Sequence, residues 1–397
     1  CVVFLNFFVA AFFFLLVLIA PFIALFFGEP QLKDLVRVLG FSVVISSLAL
    51  VQRTTLTRSL NFKFQSKVSI IGTIISGALA LWAAFSGMGV WSLVIKTISR
   101  SGVQTILLWV FNDWKPSVIF NRQSFTYLFS FGRNLLVSGF AGVIYTNIYY
   151  IVIGKYFSTD SLGYFTRAEL FKNLFSQNIT TIISGVSYPA LAKIQTDKPL
   201  FKKGIKTIIT TASFVIIFLM IGLAASAKNL IVFLIGTEWL QSVIYLQILC
   251  VGGIFTPLIV LNVGVFNIVG RSDWYMKLQI SSYFTAIPIV FIGIQFGIKY
   301  MLIGISVNAF FLFFLYGYYA SRFSGYKISE QINDLLPPIL IASLMGIIVY
   351  LTGQLLDPSW VGASLLIQVI LGLFLSILFC ELSKNGTYTF IKMQILS

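Results

Sequence analysis

The sequence predicts an all-α, polytopic membrane protein with about twelve transmembrane helices. Three observations predict it. Of 397 residues, 58% are hydrophobic and only 10% are charged, where a soluble domain carries about 25% charged residues. The apolar runs are about 20 residues long, as a bilayer-crossing helix requires, and are not alternating strands of about 10 residues. The basic residues cluster beside every second apolar boundary, the pattern that orients a multi-span chain.

Taken in order, the predicted spans are 2–27, 35–51, 68–85, 90–111, 128–153, 162–191, 205–225, 240–269, 275–296, 301–320, 336–356 and 361–380. The first four are apolar runs parted by GEPQLK, the basic stretch RTTLTRSLNFK and the turn FSGMGVW. The fifth and sixth are as long as the others but far more polar. In the sixth, Thr166, Glu169, Lys172, Asn173, Ser176, Gln177, Thr180 and Ser184 recur at helical spacing. A stripe of that depth faces protein or water, because lipid cannot satisfy it. The seventh to tenth spans are apolar again, and the last two form a C-terminal pair. Pro21, Pro189, Pro257 and Pro288 fall in or near spans, where proline permits a bend.

With the connections numbered alternately outside and inside, seventeen of the 27 basic residues flank the inside connections and the C-terminal tail. Five flank the outside ones and five lie within spans. This bias places both termini in the cytoplasm and supports an even number of spans. It also accounts for the net charge of +15, which in a soluble chain would suggest nucleic acid. There is no histidine. Cys1, Cys250 and Cys380 are far apart in apolar surroundings, so neither a disulfide framework nor a metal site is expected. No phosphate-binding glycine loop or nucleophile–base pair is present, and no connection is long enough to fold alone.

An internal parallel repeat runs through the chain. GEPQLKDLVRVLGF, a span, RTTLTRSLNFK and a span ending FSGMGVWSL recur as GTEWLQSVIYLQILCVGG, a span, GRSDWYMK and a span ending FGIKYMLIG. Gly28 pairs with Gly236 and Glu29 with Glu238, at an offset near 208–211 residues. Spans 1–4 then match spans 7–10, and spans 5 and 6 lack a partner. The expectation is that two equivalent spans precede Cys1 in the intact protein, giving fourteen. The expected organisation is a first helical lobe over 1–112 without its first two spans, a six-helix lobe over 125–322 and a C-terminal helical hairpin over 333–382.

Six charged residues sit inside spans, where each costs at least ~2.5–3.5 kcal/mol on insertion scales. Lys96 and Arg100 share a face of span 4 with Ser92, Ser99 and Gln104. They either line a cavity or snorkel to headgroups. Arg133, beside Asn134 in span 5, has the same two readings. In span 6, Glu169 and Lys172 are three apart, as an ion pair that neutralises itself or as a working pair. Glu169, the one acid deep in a span, is the candidate for proton or sodium coupling. Arg167 lies off the stripe, toward a neighbouring helix or the outer headgroups. Asn173 and Gln177 complete the candidate substrate-binding set.

Several motifs resemble a known family. They are VQRTTLTRSLNFK, GVWSLV, FSFGRNLLVSG, NIYYIVIGKYFSTDSLGYFTRAE, SYPALAKIQ, and LQILCVGG followed by NIVGRSDW. They occur in the order found in Wzx-type polysaccharide flippases of the MOP superfamily, which also holds the MATE multidrug exporters. The resemblance runs to about residue 350. It implies a two-lobe MATE-like fold in a bacterial inner membrane. It also implies flipping of undecaprenyl-pyrophosphate-linked oligosaccharide for lipopolysaccharide or exopolysaccharide assembly, by alternating access through a basic central cavity. Lys96, Arg100, Arg133, Arg167 and Lys172 against Glu169 suit a pyrophosphate. The implied partners are the glycolipid, the bilayer and a polysaccharide polymerase with its chain-length machinery, with no nucleic acid and no cofactor beyond a proton or sodium gradient. Two rival readings remain. A MATE-like cation exporter would favour acidic or apolar cavity groups. A membrane-embedded polymerase or ligase would need a large external loop with catalytic residues.

Overall fold

The computed structural model describes residues 2–59, 61–111, 122–356, 360–383 and 388, without the side chains of 2–7, 122–125, 127–138, 141 and 272. Among these residues there are fifteen α-helices and no strand. They are α1 (Val2–Phe27), α2 (Leu32–Leu48), α3 (Leu50–Arg58), α4 (Phe62–Phe85), α5 (Trp91–Phe111), α6 (Arg122–Tyr156), α7 (Thr159–Ile194) and α8 (Lys198–Ile235). There follow α9 (Gln241–Gly253), α10 (Phe255–Ile268), α11 (Ser272–Phe284), α12 (Ala286–Phe296), α13 (Ile298–Ser324), α14 (Ile328–Leu355) and α15 (Val361–Leu382).

Each predicted span coincides with one helix or with two separated by a single residue. By length and hydropathy alone, eight helices or near-continuous pairs qualify to cross a membrane, and α2 with α3 makes a ninth. Two more described helices, α5 and α7, are long enough but too polar by the same measure. The chain is therefore a helical, multi-pass membrane protein, and α5 and α7 are the more polar of its described long helices.

The breaks have physical causes. A proline lacks the amide hydrogen and pushes away the carbonyl four residues back. Pro257 follows the α9–α10 break at Ile254 by three residues, and Pro288 follows the α11–α12 break at Thr285 by three. No proline accompanies the 44° bend between α2 and α3 at Ala49. There, helix α5 takes up the loosened carbonyls. Thr105 Oγ1 donates to Ile45 O at 3.0 Å, and Trp109 Nε1 donates to Leu48 O at 3.0 Å. The stretch 52–67, expected as a connection, is thus mostly helix. Asn61 caps α4 by accepting from Phe64 N at 3.2 Å.

The chain divides into two compact units, Cys1–Gly142 and Val143–Ser397. In the first, α2 packs on α1 and α5, and α4 packs on α5. A small core of Ala49, Leu56, Val68 and Leu108 sits at the bend. In the second, α8 is the hub and touches α7, α9, α14 and α15. Its core runs from Ile153 and Phe165 through Ile216, Met220 and Leu246 to Phe266 and Phe313. Lys202 and Lys206 of α8, counted among the basic residues of an inside connection, pair with Glu330 and Asp334 of α14 at 2.9 Å each. The Tyr326 hydroxyl donates to Asp334 at 2.6 Å. Burial, and then that carboxylate, hold the Tyr326 phenol above its ordinary range, so it stays a donor.

Gly28 and Gly236, paired by the repeat, each follow the end of a helix with positive φ, 75° and 98°. At the α9–α13 contact, a Cβ on Gly252 would stand 3.0 Å from the Ser306 Cα, so the two backbones touch. Gly252→Leu is therefore expected to destabilise by about 1–3 kcal/mol or more through overpacking. Gly264→Ala, with nothing within 4 Å of the new methyl, should be neutral or slightly stabilising. Thermal unfolding of the purified variants measures both.

Candidate functional site

Among the described residues, each unit presents a polar recess. In the first unit, the bend at Ala49 redirects α3 so that Arg53 meets α5. Its Nη2 donates to Gln104 Oε1 at 2.9 Å. Gln65 of α4 donates to Thr57 Oγ1 at 3.0 Å and to Arg53 O at 3.4 Å, tying α3 to α4. Ser46 Oγ donates to Ser101 Oγ at 3.1 Å. These groups, with Val68, Ser69, Arg100 and Leu108, enclose about 420 Å³. Arg53 and Arg100 both belong to this recess, and both are exposed within the unit. Among the described residues neither pairs with a carboxylate. Lys96 lies one turn from Arg100 on α5, exposed and outside the recess lining.

In the second unit, the stripe on α7 divides between two environments. Asn173 and Gln177 line a recess of about 530 Å³ with Tyr150, Thr166, Leu170, Leu174 and Asn178. Lys172 turns the other way, into the packing of α8 and α9. A Cβ on Gly253 would meet its side chain at 3.1 Å and Met220 Sδ at 2.8 Å. Lys172 Nζ lies 3.7 Å from Glu169 Oε1, with side chains only 14% and 22% exposed respectively. Glu169 Oε2 is buried and has no hydrogen-bond partner among the described residues. The Tyr150 hydroxyl interacts with the same carboxylate from α6. Several hydroxyls of the stripe bond back to their own helix: Thr166 to Gly163 O, Ser176 to Lys172 O and Thr180 to Ser176 O.

Arg167 stacks over Trp239, with 5.2 Å from its Cζ to the ring centroid, and Tyr164 meets the same ring edge-on at 5.9 Å. That fixes Arg167 against the turn preceding α9, away from the Asn173–Gln177 recess lining. The side chains of Arg133 and Asn134 lie outside the described residues. Arg53, Gln65 and Tyr150 were not singled out from the sequence. Arg53 sits in a basic stretch whose charge had an orientation reading, and only the bend at Ala49 brings it to Gln104. Among the described residues there is no cluster of His, Cys, Asp or Glu that would hold a metal ion.

The recesses offer unpaired guanidinium groups in one unit and amide and phenol groups in the other. By donor type the first suits anions and the second suits hydroxyl-rich groups. A family model described as polysaccharide biosynthesis protein matches residues 1–244. Teichuronic acid biosynthesis protein TuaB of Bacillus subtilis (strain 168) is 25% identical over 344 residues, 85% of this chain and 71% of TuaB. Succinoglycan biosynthesis transport protein ExoT of Rhizobium meliloti (strain 1021) is 23% identical over 59% of this chain and 48% of its own. Lipopolysaccharide biosynthesis protein WzxC of Escherichia coli (strain K12) is 24% identical over 68% of this chain and 55% of its own. The chain thus spans about half the length of the last two. A solved structure of the lipid II flippase MurJ, in an inward closed conformation, superposes with a TM-score of 0.77. It covers 97% of this chain and 83% of MurJ at 17% identity, which shows a shared fold.

Proposed function

This chain belongs to the polysaccharide biosynthesis protein family, in the Wzx-type group of the MOP superfamily, and on that premise we propose that it carries lipid-linked oligosaccharide across a membrane. The cargo in this reading is an undecaprenyl-pyrophosphate-linked repeat unit, moved from the inner to the outer leaflet of a bacterial inner membrane by alternating access. Both termini are cytoplasmic. Delivery is to a polysaccharide polymerase and its chain-length machinery. The protein is a carrier and not a polymerase or ligase, and its energy comes from a proton or sodium gradient through Glu169.

The observation that carries this reading is the placement of polarity. Helices α5 and α7 are long enough to span a bilayer, yet they hold Lys96, Arg100, Glu169, Lys172, Asn173 and Gln177 at that depth. Charge in that position is costly and marks a polar pathway. Arg53 and Arg100 in a recess whose described lining holds no acid favour an anionic cargo over the cations of a multidrug exporter.

The test is complementation by the full-length protein of a strain that lacks its own exporter of this kind. Restored surface polymer supports the reading. Wild-type protein that inserts stably but leaves lipid-linked repeat units on the cytoplasmic leaflet overturns it. Asn173→Leu combined with Gln177→Leu should lower export about tenfold, since each lost hydrogen bond to a sugar hydroxyl is worth about 0.5–1.5 kcal/mol. Export is read as surface polymer at equal protein abundance.

A further inference from the structure

We propose that the end of the second unit where α10 meets α11 and α13 meets α14 holds an anionic phospholipid, with its phosphate on Lys277 and Arg322 and its acyl chains along α11, α12 and α13. The lipid in question belongs to the surrounding bilayer, so the site is independent of the cargo.

The cations at this end fall into two classes. Lys202 and Lys206 are neutralised by Glu330 and Asp334 at 2.9 Å. Arg271 is neutralised by Asp273, which accepts from its Nε and its Nη2 at 2.9 Å each. Lys277 and Arg322 meet no carboxylate among the described residues. They lie on rings instead. Lys277 Nζ stands 5.7 Å from the centroid of Trp274. Arg322 Cζ stands 5.1 Å from the centroid of Tyr319 and 5.2 Å from that of Tyr318. Trp274 and Tyr319 are themselves 5.1 Å apart, so one aromatic slab carries both charges. Arg322 donates from Nη2 to the Tyr318 hydroxyl at 3.3 Å, and both cations are exposed. A charge that only orients a chain needs its sign and no platform. Rings beneath a cation hold it in place without neutralising it. The outward N–H groups then remain for an anion.

The surface beside the cations selects which anion. On α13, Phe310, Phe314 and Tyr318 are exposed and lead to Arg322 in steps of four residues, along one face. On α11 and α12, Met276, Ile280, Phe284 and Ile287 are exposed and lead away from Lys277 at helical spacing. From Phe310 to Arg322 the helix rises about 18 Å at ~1.5 Å per residue, and one leaflet's half of the hydrocarbon core is about 15 Å. A molecule with an anionic head and apolar tails of leaflet length matches both parts. An acidic peptide would match the cations alone. Tryptophan and tyrosine settle at the level of the headgroups, and basic pockets between membrane helices bind anionic headgroups there.

In the test, phosphatidylglycerol and phosphatidylcholine are titrated into the full chain in detergent, and bound lipid is counted by native mass spectrometry. The wild type is expected to hold phosphatidylglycerol at least about fivefold more tightly than phosphatidylcholine. Lys277→Gln and Arg322→Gln should each weaken phosphatidylglycerol about fivefold, the worth of one basic residue beside anionic lipid, and leave phosphatidylcholine unchanged. Lys327→Gln removes a charge from the same end that stacks on no ring among the described residues, and it should change neither. Equal retention of the two lipids by the wild type overturns the proposal and leaves an acidic segment of a partner protein as the occupant. Unchanged phosphatidylglycerol affinity in both Lys277→Gln and Arg322→Gln also overturns it. So does an equal loss in Lys327→Gln, which would make the attraction a property of the whole basic surface. Should Arg322→Gln fail to fold, Lys277→Gln decides alone, and wild-type affinity in it overturns the site.

Discussion

Lys172→Met is expected to destabilise the second unit by about 3–5 kcal/mol, because it leaves a buried carboxylate without its counter-charge. Lys172 and Glu169 are 3.7 Å apart and mostly buried, and one carboxylate oxygen already has no hydrogen-bond partner among the described residues. Removing the ammonium leaves that carboxylate with the Tyr150 hydroxyl. The methionine itself fits the space, since the stem of Lys172 packs beside Gly253 and Met220. The cost is therefore electrostatic and not steric, and the double variant Glu169→Gln/Lys172→Met separates the two. It should recover most of the lost stability, because a pair replaced by neutral groups no longer strands a charge. Thermal unfolding in detergent measures all three proteins. A double variant as unstable as Lys172→Met would mean that packing, and not the pair, sets the cost.

Glu169→Gln is expected to uncouple export from ion gradients. A carboxylate with a free, buried oxygen can take up a proton or contribute to a sodium site, and a carboxamide does neither with comparable affinity. Transport in proteoliposomes is measured with and without imposed proton and sodium gradients. The wild type should respond to one of them at least tenfold, and the variant should show one gradient-independent rate. The ratio of driven to undriven transport is insensitive to a modest loss of folded protein, which lowers both arms together. A variant with the wild-type ratio removes Glu169 from coupling.

The spans were legible because a 20-residue apolar run has few alternatives in a membrane. Of the four prolines marked in or near spans, Pro257 and Pro288 follow two of the three helix breaks, while Pro21 and Pro189 lie inside unbroken helices. The third break has no proline. At Ala49 the cause lies 56 and 60 residues away, in Thr105 and Trp109, and no local signal marks it. For the same reason Arg53 read as an orientation charge. A helical wheel also fixes which residues share a face without saying what that face meets. The α7 stripe was correctly grouped by period, yet Asn173 and Gln177 line a recess while Lys172 packs beside Gly253. Arg167 had two readings, and contact with Trp239 fits the one that turns it toward a neighbour.

The paired breaks in the repeat also bear on descent. In the expected repeat the span carrying α2 and α3 pairs with the span carrying α9 and α10, and both are interrupted part-way. At the repeat offset Arg53 corresponds to 261–264, where Asn262 stands, and Arg100 to 308–311, where Asn308 stands. Asn262 is buried and exchanges hydrogen bonds with Gln331 of α14, at 3.1 and 3.3 Å. Asn308 hydrogen-bonds the Tyr145 side chain. The expected repeat thus pairs arginines in the first copy with asparagines in the second. On that pairing, a chimera carrying two copies of the first half would set guanidinium groups where the second half has amides.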